Sequence, residues 1–176
     1  MIVLVGFMGA GKTTVGHLLA ARLGLPFVDS DQVIEQQAGR PVRQIFAQDG
    51  EPAFRALEHR VITGLLDGPV LVLALGGGAP EHPRTRERLA TAQVVYLRVG
   101  YDQAMARVGG DPARPLLARP DLAATYQRRL PLYAEIATLS ISTDGRPPEL
   151  ISQDILARLM TEPAVGARAR YLPPAP

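Results

Sequence analysis

The chain contains no cysteine, so a disulfide framework and a cysteine-ligated metal site are both excluded. It holds a single lysine: of nineteen Lys and Arg side chains, all but Lys12 are arginine. The net charge is only +2 and no long basic run occurs, so nothing marks a nucleic-acid-binding arm. No apolar run approaches the roughly 18 residues that crossing a bilayer requires. No internal repeat is present. A strand pattern begins at Ile2, which leaves no room for a leader in this reading and makes the cytoplasm the expected location. With 176 residues, 47% hydrophobic and 20% charged, the composition is that of one soluble globular domain with a sizeable core.

Against this plain background one stretch stands out. Gly6-Phe7-Met8-Gly9-Ala10-Gly11-Lys12-Thr13 reads G-x-x-x-x-G-K-[ST], the phosphate-binding loop pattern. The apolar run Ile2-Val3-Leu4-Val5 precedes it as a strand, and Val15, Leu18, Leu19 and Leu23 follow at helical spacing up to a capping Gly24. Glycines let successive backbone N–H groups turn inward on a phosphate chain, and the helix N-terminus behind them adds partial positive charge. Lys12 would reach the β- and γ-phosphates, and the Thr13 hydroxyl would hold Mg²⁺. A compact ammonium in this position is not replaceable by a broad planar guanidinium, which fits a chain that otherwise uses arginine throughout.

Further along, strands are predicted at 26–29, 70–75, 94–97 and 139–142. Helices are predicted from 33 to about 67 in pieces broken at Gly39-Arg40-Pro41 and Asp49-Gly50, then at 83–90, 102–108, from 122 with a bend or restart at Pro131, and at 147–160. The alternation predicts a parallel sheet with helices on both faces, right-handed crossovers, and ligands at the carboxyl ends of the strands. Residues 109–120, rich in Gly and Pro, read as a mobile lid, and the Pro-rich tail 161–176 as poorly ordered.

Asp29 and Asp31 follow the second strand. If the chain is extended there, both side chains point to the same side. Near a phosphate loop they suit holding Mg²⁺ and accepting a proton from an attacking hydroxyl; the alternative is that Asp29 or Ser30 only caps the next helix. Gly76-Gly77-Gly78 ends the third strand, either as a tight turn or as bare backbone for a ligand. No acidic residue ends that strand, which shifts metal holding toward Asp29. Arg55, with Glu58 three positions on to fix its guanidinium, joins Arg114 and Arg129 as candidates for anion recognition; any one of them alone would pass for a solvated surface arginine.

Taken together, Gly6–Thr13, Asp29-Ser30-Asp31, Phe54-Arg55 with Glu58, Gly76-Gly77-Gly78-Ala79, Arg107-Val108-Gly109-Gly110, Arg114-Pro115-Leu116-Leu117, Arg129 with Pro131 and Tyr133, and Thr143–Pro147 resemble the shikimate kinase family. That family belongs to the nucleoside-monophosphate-kinase-like P-loop kinases. The resemblance spans residues 1–160 as a single domain. It implies a three-layer αβα P-loop fold, a five-stranded parallel sheet of order 2-3-1-4-5, a substrate-binding region at about 31–62 and a lid at about 109–120. It implies phosphorylation of the 3-hydroxyl of shikimate by ATP with Mg²⁺, a step in chorismate and aromatic amino acid biosynthesis, by a monomer with no nucleic-acid or membrane partner.

Position by position, the resemblance assigns Asp31 as base and hydroxyl ligand, with Lys12 and Arg114 also catalytic. Gly9, Ala10, Gly11, Lys12, Thr13, Thr14, Arg107, Arg114 and Arg146 hold the nucleotide, Arg107 by stacking on adenine. Arg55, Arg129, Gly76, Gly77 and Gly78 hold the acid, and Thr13 and Asp29 hold the metal. His17 departs from relatives that carry arginine there, a turn beyond the phosphates. Two rivals remain: another small-molecule kinase of this architecture, such as a gluconate kinase, since the clamp suits any small carboxylate, and a nucleotide-binding protein without catalysis. Lys12, Thr13, Asp29, Asp31 and Arg114 are all present, which weighs against the second.

Overall fold

The structure, a computed structural model, describes residues 1–109 and 121–161. Its elements alternate as the sequence predicts: β1 (Ile2–Val5), α1 (Lys12–Leu23), β2 (Phe27–Asp29), α2 (Ser30–Ala38), α3 (Val42–Leu66), β3 (Val72–Ala74), a 3₁₀ turn (Ala79–Glu81), α4 (Pro83–Leu89), β4 (Gln93–Arg98), α5 (Tyr101–Val108), α6 (Leu122–Ile136), β5 (Leu139–Ser142) and α7 (Pro148–Thr161). All four strand pairings are parallel, in the order β2-β3-β1-β4-β5. The chain steps one way from β1 to β2 and the other way from β3 to β4. Right-handed crossovers therefore put α1 and α4 on opposite faces of the sheet. Among the described residues no helix is long and apolar enough to cross a membrane.

Burial on both faces explains why the central strands are unbroken apolar runs rather than alternating ones. Val3, Leu4 and Val5 of β1, Val72, Leu73 and Ala74 of β3, and Val94, Val95 and Leu97 of β4 are all buried. A second, smaller apolar cluster joins Ile34 of α2 to Ile45, Phe54 and Val61 of α3, apart from the main core. It gives the helical region beyond β2 packing of its own. Gly24 and Gly39 end α1 and α2 in the left-handed conformation, as the C-terminal signals predict. Gly50 breaks the helical path within α3 at the predicted punctuation. Pro131 lies inside a continuous α6, so the helix neither ends nor restarts there.

Register decides where function can gather. Leu4 and Asp29 both pair with Ala74, Val5 pairs with Tyr96, and Arg98 with Ser142. The strands therefore end nearly level. The chain leaving each carboxyl end, at Gly6, Asp29, Gly76, Gly100 and Thr143, opens on the same edge of the sheet.

Candidate active site at the carboxyl edge

The loop after β1 has the geometry its glycines allow. Gly9 and Gly11 adopt φ of 75° and 86°, in the left-handed range. A Cβ on Gly9 would also lie 2.7 Å from the Ala104 carbonyl, so backbone packing against α5 independently demands glycine there. Gly11 caps α1 with no side-chain partner, leaving the first N–H groups of the helix to a ligand. Ala10 is buried beneath the loop, while Thr13 and Thr14 are exposed on the first turn. The Lys12 ammonium donates to the carbonyls of Gly6 at 2.8 Å and Phe7 at 3.1 Å, so it lies across the loop.

The aspartate pair departs from the sequence expectation in one respect. The two residues do not share an extended strand, because β2 stops at Asp29 and α2 begins at Ser30. Asp29 caps α2: its Oδ1 accepts from the Asp31 amide at 3.0 Å. The capping alternative is thus realised, and it occupies only one oxygen. The other, Oδ2, accepts from the Thr13 hydroxyl at 3.3 Å. A hydroxyl and one carboxylate oxygen side by side are hard donors that fit Mg²⁺, which keeps several waters and takes further oxygens from phosphates. Among the described residues no group of three or more His, Cys, Asp or Glu could hold a metal ion.

Asp31 has a different environment. Its Oδ1 is buried and accepts no hydrogen bond. Burial, reinforced by the charge of Asp29 and partly offset by Lys12 and Arg55, raises its pKa to about 6. Gly76 shows why the third strand ends in bare backbone. A Cβ there would stand 2.6 Å from Asp31 Oδ1 and 2.9 Å from Glu58 Oε1, so any side chain would collide with two carboxylates. The Gly76 amide in turn donates to the buried Ser30 hydroxyl at 3.1 Å, fixing β3's exit to the start of α2.

The predicted anion clamp assembles from three elements. Arg55 of α3 donates to Glu58 Oε2 at 2.6 Å, the intrahelical brace the spacing predicts, and also reaches Glu51 at 3.2 Å. Its guanidinium carbon lies 5.3 Å from the Phe54 ring centroid and 5.7 Å from that of Phe46. It packs so tightly on Gly78 that a Cβ would come within 2.6 Å of its Cζ. Glu58 is buried, and that burial, opposed by Arg55, raises its pKa to about 7. Arg129 of α6 is buried as well, with Nη1 3.7 Å from the Cβ position of Gly77. Tyr133, one turn on, donates to the Gly77 carbonyl at 2.5 Å. Arg55, Arg129 and all three glycines therefore converge. Sequence reasoning missed the residue that joins them: Glu81 Oε2 accepts from Arg129 at 2.9 Å and from Arg55 at 3.3 Å. Its only signal was an acidic residue shortly after the glycine run.

At the other end of the edge, exposed Arg107 donates to the Gly9 carbonyl at 3.0 Å and to the Thr143 carbonyl at 2.7 Å. It ties the phosphate loop to the connection after β5. Arg146 lies on that connection, where its guanidinium pairs with Asp154 at 3.1 Å and donates to the Ser142 carbonyl at 3.3 Å. Asp144 anchors the same connection by accepting from the Gly100 amide. Arg114, with most of the predicted lid and the tail beyond 161, lies outside the described residues.

The profile of the shikimate kinase family matches residues 8–160. Shikimate kinase of Thermobifida fusca is 48% identical over 169 residues, covering 94% of this chain and 96% of that protein. Shikimate kinase of Saccharopolyspora erythraea is 46% identical over 168 residues, covering 93% and 96%. Among solved structures, shikimate kinase from Acinetobacter baumannii in complex with shikimate superposes with a TM-score of 0.85 at 39% identity, over 91% of this chain and 92% of that one. A gluconokinase from Sinorhizobium meliloti, at 19% identity and a TM-score of 0.61, shares the fold alone. On its sequence, its strand order and the residues gathered at its sheet edge, the chain belongs to the shikimate kinase family.

Proposed function

We propose that this protein transfers the γ-phosphoryl group of ATP to the 3-hydroxyl of shikimate, giving shikimate 3-phosphate and ADP. The observation that carries the reading is the position of Asp31 Oδ1. It is a buried acceptor without a donor, close against Gly76 and the arginine-bearing side of the site. A substrate hydroxyl supplies that missing donor, and a base with a pKa of about 6 is ionised at neutral pH and ready to take the proton. Arg55 and Arg129 hold the substrate carboxylate, Arg55 being charged and braced by Glu58. The bare backbone at Gly77 and Gly78 lets Arg129 and Arg55 lie close against it, which sets the spacing of the clamp. With one end clamped, the 3-hydroxyl is aimed at the phosphate loop, and most of the catalysis is alignment.

In the reaction, Asp31 takes the hydroxyl proton as the oxygen attacks the γ-phosphorus, and the bond to the bridging oxygen breaks to release ADP. Lys12 turns to the phosphate oxygens, and the amides of Gly9 to Thr14 cradle them. Mg²⁺, held by Thr13 and Asp29, would neutralise phosphate charge when bound. Arg107 and Arg146 flank the base, and Arg114 meets the γ-phosphate. Residues 31–62 serve as the substrate-binding region of a single domain, 1–160, that acts as a cytoplasmic monomer. A coupled ADP-release assay with shikimate, gluconate and nucleoside monophosphates tests the reading. Turnover with shikimate is expected to exceed the others by orders of magnitude. Comparable turnover with gluconate, or none with shikimate, would refute it.

A further inference from the structure

Resting on the shikimate reading of the clamp, we propose that Glu81 is an internal stand-in for the substrate carboxylate. It occupies the Arg55–Arg129 clamp until substrate arrives, and Arg128 is the berth to which it withdraws.

Glu81 closes the 3₁₀ turn that follows the glycine run, so the backbone brings its carboxylate in between α3 and α6. Its two oxygens have different partners. Oε2 accepts from Arg129 Nη2 at 2.9 Å and from Arg55 Nη2 at 3.3 Å. Oε1 accepts from Arg128, at 3.0 Å from Nη2 and 3.3 Å from Nε. The first pair of arginines is enclosed, with side chains 13% and 6% exposed; Arg128 is 58% exposed. One carboxylate therefore bridges the clamp on the inside and a solvated arginine on the outside.

The hold on the clamp is incomplete. A single oxygen serves both inner guanidinium groups, and neither makes the forked, two-bond contact for which arginine and carboxylate are matched. Arg129 Nε is buried with no hydrogen-bond partner. A ligand carboxylate that puts one oxygen on each arginine can make better use of the clamp than Glu81 does.

Charge makes the two occupants exclusive. Arg55 already faces Glu58, a side chain only 1% exposed, and the buried Asp31 oxygen lies near Glu58. With Glu81 in place, Arg55, Arg128 and Arg129 are already matched by Glu51, Glu58 and Glu81. A further carboxylate added between Arg55 and Arg129 would be enclosed without a partner of its own, which is strongly unfavourable. Glu81 must therefore leave, and Arg128 keeps it paired when it does. The site so arranged rejects neutral polyols, since only an anion can replace what Glu81 gives up. Glu81 is a specificity and positioning residue, not a catalytic one.

The test is calorimetric titration of shikimate into the purified full-length protein and its variants. Glu81→Gln keeps the shape and removes the charge. It is expected to tighten shikimate binding about five- to tenfold, because the clamp no longer has to be vacated. In turnover the gain appears in the KM for shikimate, with the KM for ATP unmoved. Arg128→Ala in the natural background weakens shikimate binding several-fold by removing the berth, and has no effect when Glu81 is already Gln. Unchanged or weaker binding in Glu81→Gln would overturn the proposal and make Glu81 a fixed brace of Arg129. If the variants do not fold, a crystal structure of the natural protein with shikimate decides. Glu81 off Arg129 and on Arg128 supports the proposal, and Glu81 still bonded to Arg129 overturns it. Failure of the natural protein to bind shikimate would instead strike at the function itself, so the two failures are distinguishable.

Discussion

Gly76→Ala tests the site's geometry with a single methyl group. The backbone at Gly76 is not in the left-handed region, so alanine fits the local conformation. The whole effect must then come from what the methyl meets. Asp31 Oδ1 would lie 2.6 Å away and has to retreat by roughly 0.8 Å to reach the 3.4 Å of an ordinary contact, while Glu58 Oε1 retreats from 2.9 Å. A misplacement of about 1 Å in a reacting group costs about 100-fold in rate, or about 2.7 kcal/mol of barrier. Overpacking of this kind costs about 1–3 kcal/mol of stability, which leaves a folded protein to measure. The expected result is a kcat for shikimate lowered about 100-fold, with nucleotide affinity unchanged because the phosphate loop is untouched. Steady-state kinetics with shikimate varied at saturating ATP, beside fluorescence titration of a nucleotide analogue, reads both. A kcat within twofold of the natural protein would refute the placement of Asp31 against the glycine run.

Other consequences follow from the same geometry. Asp31→Asn should retain nucleotide binding and lose at least 100-fold in kcat, the usual worth of a positioned base; near-natural turnover in the coupled assay would remove it from that role. Arg55→Lys keeps a charge and loses the planar fork, so shikimate affinity should fall about tenfold by calorimetry, and an unchanged affinity would exclude Arg55 from the clamp. In the unliganded protein the pKa values of Asp31 and Glu58 are raised to about 6 and about 7 by burial. The folded state therefore binds more protons than the unfolded chain. Their contribution to stability is complete below about pH 4 and is lost as pH rises to about 7. Urea midpoints measured between pH 5 and pH 8 should fall less with rising pH in Glu58→Gln than in the natural protein; parallel profiles would contradict the assignment.

The sequence was informative where local chemistry decides. Gly24 and Gly39 mark helix ends because only a left-handed residue closes them there, and β1, β3 and β4 declare themselves through runs buried on both faces. The Arg55–Glu58 brace was legible because three residues apart on a helix are neighbours. What could not be read depended on elements meeting in space. Glu81 lies between α3 and α6, and no spacing rule connects residue 81 to residues 55 and 129. The geometry of Asp29 and Asp31 turned on whether β2 ran two residues further, a boundary that the cap at Asp29 decides. Pro131 suggested a bend or a restart; α6 does not restart there, and Tyr126 and Arg129 before it and Tyr133 after it are all buried. Arg107, assigned to adenine by resemblance, also joins the phosphate loop to the loop after β5, a tie visible only once both loops sit on the same sheet edge.

In the function proposed above, a nucleotide cradle and a carboxylate clamp open together at the carboxyl edge of the sheet, with Asp31 between them. A crystal structure with shikimate and a non-hydrolysable ATP analogue tests it most directly. The acid's carboxylate is expected between Arg55 and Arg129, with its 3-hydroxyl within hydrogen-bond distance of Asp31 and facing the γ-phosphate. Shikimate bound elsewhere, or turned so that Asp31 meets no hydroxyl, would contradict it.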